Sequence, residues 1–145
     1  MGGLTALAAS MVLLAPATVS EQLQIKADGW THLVDEGNNI VFTQPGEPRA
    51  TGRPEIWMRM ELIHPSLEAG KSYYAIASLV EVDCTEGRAQ RLSITAHTQH
   101  NLQGEVSNVL PNAGWNYAQP GSIMHRLVQR ACGQERQPES ASPIK

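Results

Sequence analysis

The stretch YYAIASLVEVDC, residues Tyr73–Cys84, decides the fold because its side chains alternate between two sets. One set consists of Tyr74, Ile76, Ser78, Val80, Val82 and Cys84. The other consists of Tyr73, Ala75, Ala77, Leu79, Glu81 and Asp83. A period of two in a segment rich in β-branched and aromatic residues is typical of a β-strand with one face on a core. The pattern therefore predicts a central strand whose first set faces the core.

Cys84, the last core-facing residue of this strand, is one of only two cysteines in the chain. The other, Cys132, follows a short segment with apolar residues at three- and four-residue spacing. These residues are Met124, Leu127, Val128 and Ala131. The spacing predicts a helix over Ile123–Ala131 with Ser122 as its N-cap. We predict a Cys84–Cys132 disulfide that ties the helix to the strand and stabilises the fold by about 4 kcal/mol in the chain-entropy model.

Further alternating or extended segments predict the rest of the sheet. The predicted strands cover residues 30–34, 40–43, 55–64, 88–99 and 104–110. A loop is predicted at 44–54 and a turn at 65–70, where prolines and glycines are frequent. The resulting fold class is α+β, with an antiparallel β-sheet of about five to six strands and a C-terminal α-helix tethered by one disulfide.

The two ends of the chain differ in composition from the middle. Residues 1–20 contain no Asp, Glu, Lys or Arg, and the apolar block Leu4–Ala17 is shorter than the roughly 20 residues of a spanning helix. We predict a signal peptide at 1–20, with the mature chain beginning at Thr18 or Glu21. A buried N-terminal helix is the alternative. The domain is then 21–133, and the polar residues 134–145 are predicted to be disordered.

Several classes of function are disfavoured by composition. The chain has 145 residues, a net charge of −3 and scattered basic residues, so no nucleic-acid partner is expected. We expect no membrane insertion of the mature chain. The predicted signal peptide contains no cysteine to accept a lipid, so a periplasmic or secreted location is expected. No catalytic or cofactor motif stands out, and we expect neither an enzyme nor a cofactor.

Two groups of side chains could carry chemistry. Glu81 and Asp83 lie two apart on one strand, so their carboxylates would project from the same face about 7 Å apart. They could share acid–base work or hold a cation, or they could form a solvated strand end. His97, His100 and His125 could supply three nitrogens to zinc, although positions 97 and 100 face opposite ways on a strand. Solvent-facing histidines are the alternative, and no metal site is predicted.

A candidate binding surface follows from the strand pattern. Trp57 lies off the face formed by Ile56, Met58 and Met60, and tryptophan is enriched in binding hot spots. On the central strand the off-core set includes two alanines, small enough for a partner to approach closely. The predicted surface therefore consists of Trp57, Ala75, Ala77 and Leu79, with homodimerisation as the simplest case. Loops covering this face are the alternative explanation.

The segment from Trp30 to Cys132 resembles the surface-adhesin protein E-like family of small exported bacterial domains. The resemblance lies in the strand Glu55–Met60, the strand ending at Cys84, the polar strand Arg91–Ala96, and the ending Trp115…Pro120-Gly121-Ser122…Cys132. It implies an antiparallel sheet with a C-terminal helix held by this disulfide, and it implies adhesion, meaning protein–protein binding at a cell surface. We therefore predict a non-catalytic exported binding domain of the bacterial envelope, with its protein partner unidentified. The alternative is a periplasmic protein that binds a small ligand or a metal through the histidines or through Glu81 and Asp83.

Overall fold

The computed structural model describes residues 2–3, 8–13, 15–47, 50–112 and 114–135. The predicted tail lies largely outside these residues, as do several positions of the predicted signal peptide. The helices are α1 (Val19–Gln22) and α2 (Ile123–Ala131). The strands are β1 (Thr31–Glu36), β2 (Asn39–Pro45), β3 (Glu55–Glu68), β4 (Lys71–Asp83), β5 (Arg88–Gln99), β6 (Gln103–Val109) and β7 (Asn116–Tyr117).

The strands form one antiparallel sheet in which neighbours in sequence are neighbours in space. The order is β1-β2-β3-β4-β5-β6, and the short β7 pairs with the beginning of β5. Strand β4, which contains the alternating stretch, lies between β3 and β5 and is therefore central as predicted. The predicted fold class is confirmed.

The hairpin between β3 and β4 is longer than the sequence indicates. The predicted turn at 65–70 is wrong, because β3 continues to Glu68 and only Ala69 and Gly70 form the turn, both with positive φ. The ladder shifts between Glu61 and Ser66, so Pro65 lies within an irregular part of the strand. Proline cannot donate to a ladder and is tolerated at such irregularities.

Helix α2 packs on one face of the sheet and closes the main core. Ser122 caps it, with Oγ accepting a hydrogen bond from the backbone N–H of His125 at 3.1 Å. The core cluster consists of Val41, Ile56, Met58, Val80, Val82, Ala89, Leu127 and Val128. The Cys84–Cys132 disulfide has a Cα–Cα distance of 5.7 Å and joins positions 48 residues apart. The predicted helix, its cap and its tether are confirmed.

The opposite face of the sheet is also buried over much of its area. Its β4 residues Ala75 and Glu81 are 0% and 3% exposed. The segment before β1 contributes to this burial, because the backbone N–H of Lys26 donates to Asn101 Oδ1 in the β5–β6 turn at 2.7 Å. Both faces of the central strand are therefore covered, the first by a helix and the second in part by the N-terminal segment.

The two tyrosines of β4 depart from the predicted alternation. The Tyr74 ring lies 5.0 Å from the His100 ring, and His100 contacts Glu61 on the face away from α2. The Tyr73 hydroxyl lies 2.8 Å from Ser107 Oγ. These contacts place the two tyrosines on the sides opposite to those predicted. The β3–β4 ladder is irregular at this point, where residues 62–65 of β3 stand opposite Tyr74 alone.

Candidate binding surface

Trp57 and Leu79 form the centre of the candidate surface. They are directly paired across β3 and β4, on the face away from α2. Gln44 on β2 pairs with Trp57, and Ser93 on β5 pairs with Leu79. All four residues are half-buried. These four residues form a row across four strands, with the two apolar side chains in the middle and a polar residue at each end. We call it the Trp57–Leu79 row.

The two alanines of the predicted surface lie on the same face of β4, two and four residues before Leu79. Ala77 pairs with Arg59 and Ala75 pairs with Glu61, and both alanines are buried, at 6% and 0% exposure. A partner could not touch them without displacing the side chains around them. The part of the predicted surface that a partner could reach is therefore the accessible portion of Trp57 and Leu79, which are partly buried.

A buried ion pair borders one side of the row. Arg59 Nε donates to Glu61 Oε1 at 2.7 Å, and the two side chains are 3% and 0% exposed. The Arg59 guanidinium also lies over the rings of Trp30 and Phe42, at 5.6 and 5.2 Å from their centroids. Cation–π contacts with two rings and a charged hydrogen bond offset the desolvation of the guanidinium.

Asn101 connects this ion pair to the segment before β1. Its backbone N–H donates to Glu61 Oε1 at 2.9 Å, and its Oδ1 accepts from Arg59 at 3.0 Å as well as from Lys26 N–H. Its side-chain amide donates to the carbonyl of Gln24 at 3.1 Å. Asn101 adopts φ of 64°, a left-handed conformation that asparagine tolerates better than most residues. The side chain therefore fixes the N-terminal segment on the sheet.

Trp115 lies between two arginines near the end of β4. The guanidinium carbons of Arg53 and Arg88 lie 5.1 and 4.9 Å from its ring centroid. Arg53 is 3.4 Å from Glu81, and Arg88 Nε donates to Asp83 Oδ2 at 3.0 Å. The predicted carboxylate pair is thus held by two arginines.

The Asp83 carboxylate accepts several hydrogen bonds, and these affect its pKa. Its Oδ1 accepts the backbone N–H groups of Thr85 and Glu86, both at 3.2 Å. The hydrogen bond from Glu86, with a further contribution from Arg88, lowers the pKa of Asp83 below its ordinary value. The expectation of a solvated strand end is wrong, since Glu81 and Asp83 are only 3% and 9% exposed. Asp83 therefore has a structural role in the β4–β5 turn, and Glu81 holds Arg53 in the segment before β3.

The three histidines do not share a site. His97 Nε2 lies 3.0 Å from Thr95 Oγ1, His100 Nδ1 lies 2.9 Å from Glu61 Oε2, and His125 is on α2. Burial lowers the pKa of His97, against an opposing effect of Glu61. Among the residues that the structure describes, no group of three or more His, Cys, Asp or Glu side chains could hold a metal ion.

A cavity of about 510 Å³ lies between the ends of β2 and β3 and the end of α2. Thr43 and Ile56 contribute to its lining, together with Arg53 and Arg130. Arg130 is held by the carbonyl of His32 and by Thr43 Oγ1, both at 3.0 Å. The cavity is large enough for a small molecule.

Sequence reasoning missed Arg59, Glu61, Asn101 and Trp115. The first two had a usable signal, because opposite charges two apart on one strand share a face and the surrounding strand is apolar. Asn101 and Trp115 had no local signal, since their contacts join segments far apart in the chain.

The fold and the surface define a small α+β domain with a disulfide-tethered helix. The chain belongs to the surface-adhesin protein E family, whose family model matches residues 30–133. No curated protein matches the chain. Within the described residues, neither helix has the length and apolar character needed to cross a membrane.

Solved structures of Haemophilus influenzae protein E share the fold. Crystal form II matches with a TM-score of 0.61 and 12% identity, over 84% of this chain and 96% of that chain. A second structure of the same protein gives 0.58 and 12%, over 83% and 91%. Protein E from non-typeable Haemophilus influenzae gives 0.57 and 13%, over 84% and 83%.

Proposed function

We propose that the chain is an exported, non-catalytic domain that binds a protein partner through the Trp57–Leu79 row. The observation that carries the proposal is the pairing of Trp57 with Leu79, both only partly buried, at the centre of a sheet face that is otherwise largely buried. Aromatic residues and arginine are enriched at binding hot spots. Arg53, which contacts the Trp115 ring, pairs with Glu81, two residues from Leu79 on the same face of β4. Membership of a surface-adhesin family supports binding as the activity.

The proposed location is the periplasm or the exterior of the cell. The apolar, uncharged N-terminal segment supports export, with residues 1–20 as the signal peptide, 21–133 as the domain and 134–145 as a disordered tail. The disulfide supports an oxidising compartment, where such bonds persist. The partner is a protein, and a second copy of the chain is the simplest case.

Trp57→Ala tests the proposal. We expect the variant to lose self-association in analytical ultracentrifugation, or to lose a partner captured from envelope extract by the wild type. Leu67→Ala is the matched control, because Leu67 is an exposed apolar residue near the far end of β3, at 75% exposure. Circular dichroism and an intact Cys84–Cys132 bond establish that each variant is folded. Equal association of wild type and Trp57→Ala would overturn the proposal.

A second candidate function is the binding of a small ligand in the cavity beside Arg130. Its volume of about 510 Å³ and its lining, in which Arg53 and Arg130 outnumber the acidic Glu55, favour a small organic anion. Thermal-shift measurements with small carboxylates test it: a stabilisation that Arg53→Ala removes supports the cavity. No stabilisation by any carboxylate would contradict it.

A further inference from the structure

The outer edge of β5 has a break between its two partners. Strand β6 pairs with β5 from Ile94 onward, and β7 pairs with Arg88 and Ala89. Over residues 90–93, Gln90, Arg91 and Ser93 pair with β4 on one side and Leu92 forms a bulge. No strand of the described chain pairs with these residues on the other side. Unpaired N–H and C=O groups at a sheet edge are a template for another strand.

A groove lies along this break, on the side of the sheet that carries α2. Its volume is about 550 Å³, and its lining includes Ile94 on β5 and Met124 on α2. Leu110 and Tyr117 stand at its border and are 93% and 62% exposed. Such large exposed apolar side chains beside an open strand edge provide pockets for the side chains of an added strand.

Arg91 gives the groove its charge. It is exposed, and it is the sole charged residue among the described residues that line the groove. None of the ion pairs found in the described part of the chain involves Arg91. A cation with no acidic partner among the described residues, on a chain of net charge −3, favours a ligand that brings its own carboxylate.

We propose that this β5 edge groove binds an extended peptide segment of a partner protein, with an acidic side chain next to apolar ones. The backbone of the segment adds a short strand to residues 90–93, over about 13 Å. Its carboxylate pairs with Arg91, and its apolar side chains lie against Leu110 and Tyr117. The groove lies on the face opposite the Trp57–Leu79 row, so the proposal does not depend on that surface.

A random heptapeptide library displayed on phage, selected against the full chain, tests this proposal. We expect the selected peptides to be enriched in Asp or Glu beside β-branched or aromatic residues. In NMR spectra of the wild type, the synthetic peptide should shift the backbone amide signals of residues 90–93. N-methylation of the central peptide amides should abolish binding, because it removes the backbone donors.

Arg91→Glu should weaken peptide binding about tenfold, since attraction becomes repulsion. Arg126→Glu, an exposed charge reversal on α2 outside the groove, is the control and should leave the affinity unchanged. Equal binding of the N-methylated peptide, or shifts confined to other residues, would overturn the proposal. The proposal would also be wrong if a second copy of the chain filled the groove and no peptide could be selected. The N-methyl test uses the wild type and stays decisive if a variant fails to fold.

Discussion

Arg59 and Glu61 form an ion pair in which both side chains are almost completely removed from water. Placing two charges in such a site costs free energy that their attraction offsets only when further hydrogen bonds are made. Here those bonds come from the β5–β6 turn, where the Asn101 N–H and His100 Nδ1 both reach Glu61. The pair is therefore the point at which the turn and, through Asn101, the N-terminal segment are attached to the sheet.

Glu61→Ala should reduce the free energy of unfolding by about 3–5 kcal/mol, because it leaves the buried Arg59 without its carboxylate. Urea denaturation followed by circular dichroism measures the loss. Glu105→Ala is the control, since Glu105 pairs with Lys71 at an exposed site where ion pairs contribute little. Equal stability of Glu61→Ala and the wild type would show that the pair does not hold the fold.

Asp83→Asn should make the chain less dependent on pH in the acidic range. The folded state lowers the pKa of Asp83 below its ordinary value of 3.8. The stabilisation by the carboxylate is thus fully present above that value and is lost as the pH falls through the lower, folded-state pKa. Urea midpoints of wild type and variant should differ most at pH 7 and converge towards pH 2. A constant difference across this range would contradict the assignment.

The sequence predicted the α2 side of the molecule more completely than the other side. Alternation along β4 and the stripe on α2 are local patterns, and Cys84 with Cys132 supplied the long-range contact that joins them. The opposite face depends on contacts such as that of Lys26 with Asn101, which are 75 residues apart and have no periodic signature. Burial of Ala75 and Ala77 was therefore not predictable from their strand alone.

The candidate binding surface was also predictable from the sequence only in part. The side of the sheet occupied by Trp57 and Leu79 follows from a period of two, and the register confirms it. The sides of Tyr73 and Tyr74 do not follow, because the ladder irregularity near Pro65 changes the period at that point. Residue patterns indicate which face a side chain occupies only while the ladder is regular.

Cys84→Ser should lower the free energy of unfolding by about 2–5 kcal/mol, as is usual when a small secreted domain loses its disulfide. Helix α2 should loosen first, because a helix of this length is marginal without its tertiary contacts. Hydrogen–deuterium exchange of the α2 amides, compared with those of β4, measures the order of loosening. Two free thiols in non-reducing mass spectrometry of exported wild type would contradict a structural role for the bond.

The last prediction concerns the beginning of the exported chain. The apolar segment predicts cleavage after Ala17 or after Ser20, which gives Thr18 or Glu21 as the first residue. Thr18 caps α1 by accepting the Glu21 N–H at 3.2 Å, and its carbonyl accepts the Gln22 N–H. Cleavage after Ala17 keeps this cap, whereas cleavage after Ser20 removes it together with the first residues of the helix. Both first residues agree with export, and the two differ in whether α1 keeps its cap.

Intact-mass measurement of protein recovered from the periplasm and from the medium gives the first residue directly. A mass that begins at Thr18 supports cleavage after Ala17, and one that begins at Glu21 supports cleavage after Ser20. A soluble cytoplasmic species that retains Met1 as its only form would contradict export, because the uncharged apolar segment would then have no role in targeting.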